Sequence, residues 1–268
     1  MLNLTNLIQH VCADLKNHIE QINSLNVFPI PDKDTGTNIY KTLKLLAGDN
    51  LKQIADNVLM SARGSSGNII ASFIIGASKS ESDNLHDIFE SGYNNIMESL
   101  SGIKDGTIVS SLHHSPKEYK DIIDFFTKYQ DILFDDLFRS TEKNETLKKF
   151  GTVDSGILAL IYIVNSTLNF LCGKELIDIQ LALPKLPNKI STRYCNEYTL
   201  NNLSKFKKKI LKLLGNELIF IKHNEVNKLH IHSNYPKLIY RVLKKQTIQY
   251  KIEDMENSNK RITFGGIK

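Results

Sequence analysis

The chain has 268 residues, which is enough for one large domain or two modest domains with sizeable cores. Hydrophobic residues make up 41% of the chain and charged residues 24%, a composition typical of a globular protein and not of a disordered one. The formal net charge of +5 is mild, and no interleaving of basic and aromatic residues predicts binding of nucleic acid.

The cysteines and the N-terminal sequence predict the cellular compartment of the protein. Cys12, Cys172 and Cys195 are widely spaced, which does not indicate a disulfide framework and favours a reducing compartment. The chain does not open with a basic region followed by an apolar core, so no signal peptide is predicted. We therefore expect a soluble, cytoplasmic protein.

The most apolar run of the chain extends from Gly156 to Cys172. It is short for a membrane span, and it contains the polar residues Asn165, Ser166, Thr167 and Asn169. It is therefore predicted to be a buried helix, and no stable insertion into a membrane is expected.

Apolar residues at helical spacing predict a first amphipathic helix over residues 2–22. The helix leads into the sequence NVFPIPDKDTGTN at Asn26–Asn38, in which Pro29 and Pro31 restrict φ and form a rigid approach. Helical spacing then resumes and predicts a second helix over residues 37–47.

Two carboxylates, Asp32 and Asp34, stand in this loop just before the second helix. Hard oxygen ligands suit Mg²⁺, and the free N–H groups of a first helical turn suit phosphate, so the loop is a candidate site for a metal–nucleotide complex. A helix cap or a simple turn is the alternative. An EF-hand is excluded by spacing, because Leu43 stands where a bidentate Glu is needed.

The sequence ARGSSGN at Ala62–Asn68 follows a third predicted helix over residues 51–61. Small residues at the entrance of a helix let backbone N–H groups approach an anion closely, although a plain glycine turn with serine caps has the same composition. Another predicted helix over residues 85–99 precedes Asp105-Gly106-Thr107, a sequence that is also common in ordinary turns.

A further helix is predicted from Tyr119 to about Leu133 by its apolar spacing. A charged interval over Arg139–Lys149 separates it from the last apolar helix. The sequence GTVDSG at residues 151–156 opens that helix, and Asp154 or Ser155 can cap it. A cap alone and a contact with a ligand both remain open for this segment.

Pro184 and Pro187 predict a linker, after which the pattern becomes that of a small α/β domain with a short tail. Alternation of apolar residues predicts strands over residues 194–200, 218–221 and 228–233, with helices over residues 203–214 and 236–244. The first of these helices carries a lysine cluster, which is either its solvated face or a docking patch for an anionic partner. The cluster consists of Lys205, Lys207, Lys208, Lys209 and Lys212.

His230 and His232 are two residues apart on a predicted strand, so both imidazoles face one side of it. Such a pair suits zinc, with Cys195 as the third ligand if its strand lies alongside and with a fourth position open to water or substrate. The alternative is an exposed strand face that carries histidines without a metal.

The stretch Asn26–Asn38 resembles the signature of the dihydroxyacetone-kinase L-subunit (Dak2-type) domain. It is closest to the version NVFPVPDGDTGTN of bacterial fatty-acid kinase A proteins. Three further blocks follow in the family's order, since ARGSSG resembles ARGNSG, DGT resembles EGT, and GTVDSG resembles GVVDSGG. YCNEY at 194–198 and LHIHSNYP at 229–236 are similar to YCTEF and VHVHTNDP of that family's middle domain.

The resemblance implies a multi-domain fold of the α and α/β classes. Residues 1–180 would form an all-α antiparallel helical barrel that binds nucleotide in the loops at one end. Residues 181–268 would form a small α/β middle domain with a Cys/His/His cluster.

The resemblance also implies an ATP- and Mg²⁺-dependent kinase. Asp32, Asp34 and Asn26 would hold Mg²⁺, while His230 and His232 would be catalytic and would form a candidate Zn²⁺ site with Cys195. The acceptor would be a small molecule such as a fatty acyl carboxylate presented by a fatty-acid-carrier protein. The loop residues that would contact ATP or ADP are Thr35, Gly36, Thr37, Asn38, Gly64, Ser65, Ser66, Gly67, Thr107 and Asp154.

Two departures from the family leave other functions open. Lys33 stands where the family has glycine; its charge opposes Mg²⁺ but favours phosphate, and a requirement for positive φ would cost about 1 kcal/mol or more of strain. The family's third, C-terminal region does not follow the second domain. A separate C-terminal subunit then supplies it, or the protein acts on another substrate, or it no longer phosphorylates.

Two alternatives to an active kinase follow from these departures. One is a catalytically impaired, nucleotide-binding regulatory or scaffold subunit. The other is a dihydroxyacetone kinase-like subunit, which the His-x-His domain disfavours. A second copy of the chain, forming a homodimer, is a further candidate partner.

Overall fold

The computed structural model describes residues 3–100, 105–184 and 192–256. These residues form two compact units, a helical unit before residue 185 and a second unit that contains residues 192–256 together with Ser99 and Leu100. The predicted fold class is confirmed, because the first unit is helical and the second contains a small antiparallel sheet. Closure of the first unit into a barrel remains a prediction. Pro187 of the predicted linker lies outside the described residues.

The first unit is built from helices α1 to α9. Several begin with an Asn or Asp side chain that accepts a hydrogen bond from the first turn, as Asn50 does from Gln53 N and Asp121 does from Asp124 N. The helices are α1 (Leu4–Ser24), α2 (Thr35–Leu43), α3 (Leu51–Ser61), α4 (Gly64–Ala77), α5 (Leu85–Ser99), α6 (Ile108–His113), α7 (Ile122–Lys143), α8 (Glu145–Phe150) and α9 (Ser155–Cys172).

The most apolar helix, α9, is the centre of the first unit. Both α1 and α7 pack against it, and its residues Ile157, Ile161 and Leu168 have no exposed surface. Among the described residues it is the one helix long and apolar enough to cross a membrane, yet 72% of that window is buried inside the protein. Burial against neighbouring helices is the pattern of a core helix, as the polar residues within it predict.

The asparagines of α9 hold an extended segment of the same chain. Asn165 Nδ2 donates to the backbone oxygen of Glu175 (3.2 Å), and its Oδ1 accepts from Ile177 N (3.0 Å). Asn169 Nδ2 donates to Lys174 O (2.7 Å). These backbone groups lie outside the helices and strands, so the asparagine side chains of α9 provide their hydrogen-bond partners.

Three segments differ from the sequence-based expectation. The interval Arg139–Lys149 was predicted to lie between helices, but α7 continues through it to Lys143 and α8 occupies most of the rest. The turn at Thr107 leads directly into the short helix α6, and the expected tail contains a fourth strand. For α7, α8 and the fourth strand tertiary packing decides, because Leu137, Leu147 and Ile252 are buried there among polar neighbours.

The second unit contains a four-stranded antiparallel sheet and two helices. Strand order in the sheet is β2-β3-β1-β4. Both helices cover one face, where Leu211, Ile239 and Leu243 pack against alternate strand residues such as Leu229 and Ile231. The elements are β1 (Tyr194–Leu200), α10 (Lys205–Leu214), β2 (Asn216–His223), β3 (Val226–Ser233), α11 (Pro236–Leu243) and β4 (Thr247–Asp254).

Asn165→Ala tests whether the asparagine side chains of α9 anchor the segment that follows this helix. The substitution leaves the backbone groups of Glu175 and Ile177 without these partners, so we expect the free energy of unfolding to fall by about 1–3 kcal/mol. Amide hydrogen exchange in residues 174–179 should rise. Asn94→Ala, at an exposed helical position, is the control and should leave both measurements nearly unchanged; equal effects of the two variants would contradict the role of Asn165.

Candidate functional site

A buried amide fixes the loop that carries the two aspartates. The Asn26 side chain is 2% exposed, and its Nδ2 donates to the backbone oxygens of Phe28 and Ile30, each at 3.2 Å. Its Oδ1 accepts a hydrogen bond from Asp34 N (3.1 Å). Both ends of the amide are thus used to close the loop, while the predicted role of Asn26 as a Mg²⁺ ligand stays a prediction.

The residue between the two aspartates has the backbone conformation that favours glycine. Lys33 has φ 57°, so the strain expected for a non-glycine residue at this position is present. Its side chain is exposed, and among the described residues it has no ion-pair partner within 4 Å. Lys33 therefore does not neutralise Asp32 or Asp34 by a salt bridge. Both aspartates are half-buried, and Asp34 does not cap α2 with its side chain.

The N-terminus of α2 is attached to the last turns of α1. Asn23 Nδ2 donates to Thr37 Oγ1 (2.8 Å), and Asn23 Oδ1 accepts from Thr37 N (3.2 Å). Between them, a Cβ placed on Gly36 would lie 3.0 Å from Ile19 O. The small residue at position 36 thus lets α2 start directly against α1.

Two glycines bring the start of α4 against α2. Gly64 has φ 58°, and a Cβ on it would lie 2.0 Å from Asn38 Nδ2. A Cβ on Gly67 would lie 2.3 Å from Thr42 Oγ1. Ser66 Oγ then donates to the backbone oxygen of Thr35 (3.4 Å), so the glycine-serine stretch and the aspartate loop meet at the first residue of α2.

The first residues of α9 and α6 also lie near the start of α2. Ser155 Oγ donates to Thr35 Oγ1 (3.1 Å), which connects α9 to α2. Asp154 Oδ1 accepts from Ile157 N (2.9 Å) and from Ile108 N (3.2 Å), so one carboxylate caps α9 and also binds the first residue of α6. Burial raises the pKa of the Asp154 carboxyl to about 6, although its backbone hydrogen bonds act in the opposite direction.

Four sequence segments far apart in the chain therefore lie together. The starts of α2, α4 and α9 meet around Thr35, and the positive dipole ends of helices are suited to anions. Asn38 Nδ2 is buried there without a hydrogen-bond partner, which is unusual for a buried amide. The sequence reasoning missed the contacts of Asn23 and Ser155, although the Asp-Ser pair that begins α9 was a signal for the second.

A cavity of about 350 Å³ lies on the α1 side of the aspartate loop. Lys33 borders it together with the last turn of α1 and with the end of the extended segment that follows α9. The other lining residues are Glu20, Asn23, Ser24, Leu183 and Pro184.

In the second unit, β1 lies beside β3 and brings three candidate metal ligands together. Cys195 is the register partner of His232, and Glu197 is the partner of His230. One ligand atom from each of Cys195, His230 and His232 lies within 4.8 Å of the other two, and Cys195 Sγ is 3.8 Å from His230 Nδ1. All three residues are buried, so the alternative of an exposed strand face is wrong.

Two carboxylates lie beside the histidines. Glu197 Oε1 is 3.8 Å from His230 Nδ1, and Glu217 Oε2 is 3.5 Å from His232 Nδ1. Burial and the neighbouring His230 hold the pKa of His232 well below its usual range, so its imidazole is neutral at physiological pH. A neutral ring with a buried Nδ1 that makes no hydrogen bond is the form that ligates a metal.

The donor sets at the two places fit different ions. Bonds of about 2.0–2.3 Å to zinc place neighbouring ligand atoms about 3.3–3.8 Å apart, which agrees with the Cys195–His230 distance, and one sulfur with two nitrogens is a donor set typical of zinc. The two carboxylates of the aspartate loop offer hard oxygens, which suit Mg²⁺. The residues present at each place are therefore compatible with the ion expected there.

Two protein-family models match the chain. The model described as the DAK2 domain matches residues 29–169, and the model described as the FakA-like (fatty acid kinase) middle domain matches residues 191–262. The first match covers the helices whose starts converge, and the second covers the strands that carry the Cys/His/His cluster.

Curated relatives of the chain include proteins of staphylococci. An uncharacterized protein of Staphylococcus epidermidis is 24% identical over an alignment covering 93% of this chain and 54% of its own length. Uncharacterized proteins of Staphylococcus saprophyticus and Staphylococcus aureus are 25% and 24% identical with the same coverage. The chain thus spans about half the length of the curated relatives that it matches.

Lys33→Gly tests whether the backbone of the aspartate loop is strained. Glycine adopts positive φ without a steric penalty, so the free energy of unfolding should rise by about 0.5–1 kcal/mol in urea titrations. Lys41→Gly, at an exposed helical position, should instead lower it by about 1 kcal/mol. Lys33→Met removes the charge but keeps the strain; a gain as large as that of Lys33→Gly would contradict the conformational explanation.

Proposed function

Because the chain belongs to the DAK2-domain family and carries a FakA-like middle domain, we propose that it is an ATP- and Mg²⁺-dependent phosphotransferase component. The observation that carries this proposal is the convergence of the starts of α2, α4 and α9 beside two aspartates. That arrangement offers carboxylate oxygens for a divalent cation next to helix N-termini, whose N–H groups donate hydrogen bonds to anions.

Mg²⁺ would be held by Asp32 and Asp34. When bound, the ion supplies positive charge that offsets the charge of the phosphates during transfer. Asn26 fixes the loop between the two carboxylates, and in this proposal it is a positioning residue whose amide oxygen is also the next candidate ligand.

The helix starts would bind and orient the nucleotide phosphates. The contacts of Thr35 with Ser66 and Ser155 and the close approach at Gly64 hold these three helix starts together, which supports a preorganised site for an anion. Asn38 would donate its unused Nδ2 to the same ligand. The remaining predicted contacts are Gly36, Thr37, Ser65, Ser66, Gly67, Thr107 and Asp154.

Cys195, His230 and His232 would hold Zn²⁺ in the second unit. The ion, when bound, supplies Lewis-acid charge and an open position for water or an acceptor oxygen. The chain's own part is to keep the His232 imidazole neutral by burial and to place Glu217 beside His232 and Glu197 beside His230. We propose that His230 and His232 serve phosphoryl transfer by orienting the acceptor.

The acceptor would be a small carboxylate, such as a fatty acyl group presented by a carrier protein. The support for this choice is the match of residues 191–262 to the FakA-like middle domain of fatty acid kinase. A separate C-terminal subunit that helps to dock that carrier is a further proposed partner.

A second function is favoured by one observation. Lys33 places a cation and a strained backbone between the two aspartates, which weakens Mg²⁺ binding relative to glycine. The protein would then be a nucleotide-holding regulatory or scaffold subunit with impaired catalysis.

Asp32→Asn and Asp34→Asn test the nucleotide site. Each removes one charge-assisted interaction worth about 1.5–3 kcal/mol, so the Kd for ATP in the presence of Mg²⁺ should rise on the order of 10- to 100-fold in calorimetric titrations. Asp83→Asn, at an exposed position, is the matched control and should bind like wild type. Binding that needs no Mg²⁺ and is equal in all four proteins would contradict the assignment.

ATP turnover separates the two functions. An active kinase should consume ATP with a carboxylate acceptor and a carrier protein present, whereas a regulatory protein should bind ATP without turnover. Lys33→Gly is the restoration control, because it replaces the cation between the aspartates with the residue that the family has there. Turnover of ATP by the wild-type chain would exclude the proposal of a regulatory subunit with impaired catalysis.

Cys195→Ser tests the zinc site. The substitution removes a thiolate ligand, so metal analysis of the purified protein should show about one zinc per chain in wild type and little in the variant. Cys172→Ser removes an exposed thiol that lies in the other unit and should retain zinc. Chelation of wild type should raise hydrogen exchange in β1 and β3; unchanged exchange and no zinc in wild type would contradict the site.

A further inference from the structure

The helical layer of the second unit is rich in positively charged residues. Residues 201–214 and 234–246, which contain α10 and α11, include nine Lys and Arg residues and no Asp or Glu, while the whole chain has a net charge of +5. Both helices pack on the sheet face that carries Leu229 and Ile231. Because side chains alternate along a strand, this is the face opposite to His230 and His232.

The outer surface of α10 combines cations with apolar side chains. Lys205, Lys209 and Lys212 are spaced by four and three residues, so they lie on one side of the helix. Phe206 is 72% exposed and Leu213 is 86% exposed, and they lie along the edge of the same side. On α11, Lys237, Leu238 and Arg241 are also exposed. We call these eight residues the basic helical face.

Ion pairing within the described part of the chain does not account for three lysines of this face. Lys207 and Lys208 contact other residues of the second unit. Lys207 Nζ donates to Gln246 Oε1, and Lys208 Nζ lies 5.1 Å from the centre of the Phe220 ring. Lys205, Lys209 and Lys212, in contrast, have no ion-pair partner within 4 Å in the part of the chain that the structure describes.

Lys212 also repels the neighbouring Lys208. The pKa of Lys208 is held below its usual value by burial and then by the charges of Lys212 and Lys222. An exposed phenylalanine and leucine are unfavourable in water and become favourable in an apolar interior. The cations beside them interact favourably with an anionic surface.

We propose that the basic helical face is a peripheral docking surface for an anionic lipid bilayer. Lysine dominates the face, and its flexible stem lets the ammonium reach anionic headgroups, whereas protein interfaces are depleted in lysine. Phe206 and Leu213 enter the headgroup region, while the helix axis stays parallel to the surface. The inference concerns only residues of the second unit and does not depend on nucleotide binding.

Sedimentation of the full chain with vesicles tests the proposal. At low salt the protein should sediment with vesicles of phosphatidylcholine and phosphatidylglycerol and not with phosphatidylcholine alone. Salt at about 1 M, where the Debye length is about 3 Å, should release it. The triple variant Lys205→Gln, Lys209→Gln and Lys212→Gln should lose on the order of 100-fold in apparent affinity, about tenfold or less for each lysine.

Matched variants separate the face from the net charge. Lys16→Gln, Lys52→Gln and Lys117→Gln together make the same charge change at exposed positions of the first unit and should sediment like wild type. Phe206→Ser with Leu213→Ser keeps all lysines and should lose about tenfold at low salt, because the apolar anchors are removed. Circular dichroism of each variant checks that the fold is intact.

Three results would overturn the proposal. Wild type could fail to sediment with the anionic vesicles at low salt. The control triple variant could lose as much affinity as the triple variant on α10, which would assign binding to net charge alone. Fluorescently labelled poly-L-glutamate could bind through Lys205, Lys209 and Lys212 while vesicles do not, which would assign the face to an acidic protein partner.

Discussion

The backbones of α2 and α4 approach each other more closely than side chains at positions 64 and 67 would permit. A Cβ at either glycine would overlap Asn38 or Thr42. This approach sets the distance between the aspartate loop and the glycine-serine stretch, and it lets Ser66 reach the backbone of Thr35. The nucleotide site that we propose rests on it, because it brings the N-termini of two helices to one region, and a helix N-terminus favours phosphate.

The second unit depends on a different constraint, the alternation of side chains along a strand. In β3, Leu229 and Ile231 face the helices, while His230 and His232 face the other side. One short sheet therefore separates a candidate metal-ligand cluster from a helical layer whose outer surface is basic. A shift of one residue in the register would exchange the two sets and destroy both.

Sequence reasoning worked well for strongly periodic segments and for segments with a family signature. It predicted α3 and α5 with the bounds that the structure has, and it placed Cys195 on a strand next to the histidines if that strand lay alongside. It missed the extension of α7 and the strand β4, because both alternate charged residues with single buried ones such as Leu137 and Ile252. Packing supplies the stabilisation there, and a local window does not contain it.

The amino-acid sequence by itself determined the helical and α/β halves, the pair of aspartates before α2, and the His-x-His spacing, because these depend on residue type and on periods of a few positions. Tertiary structure alone decided that Thr35 meets Ser66 and Ser155, that Asp154 binds the starts of both α6 and α9, and that Glu217 lies beside His232. The physical reason is that these contacts join residues far apart in the chain, and their partners are selected by how closely the helices and strands pack.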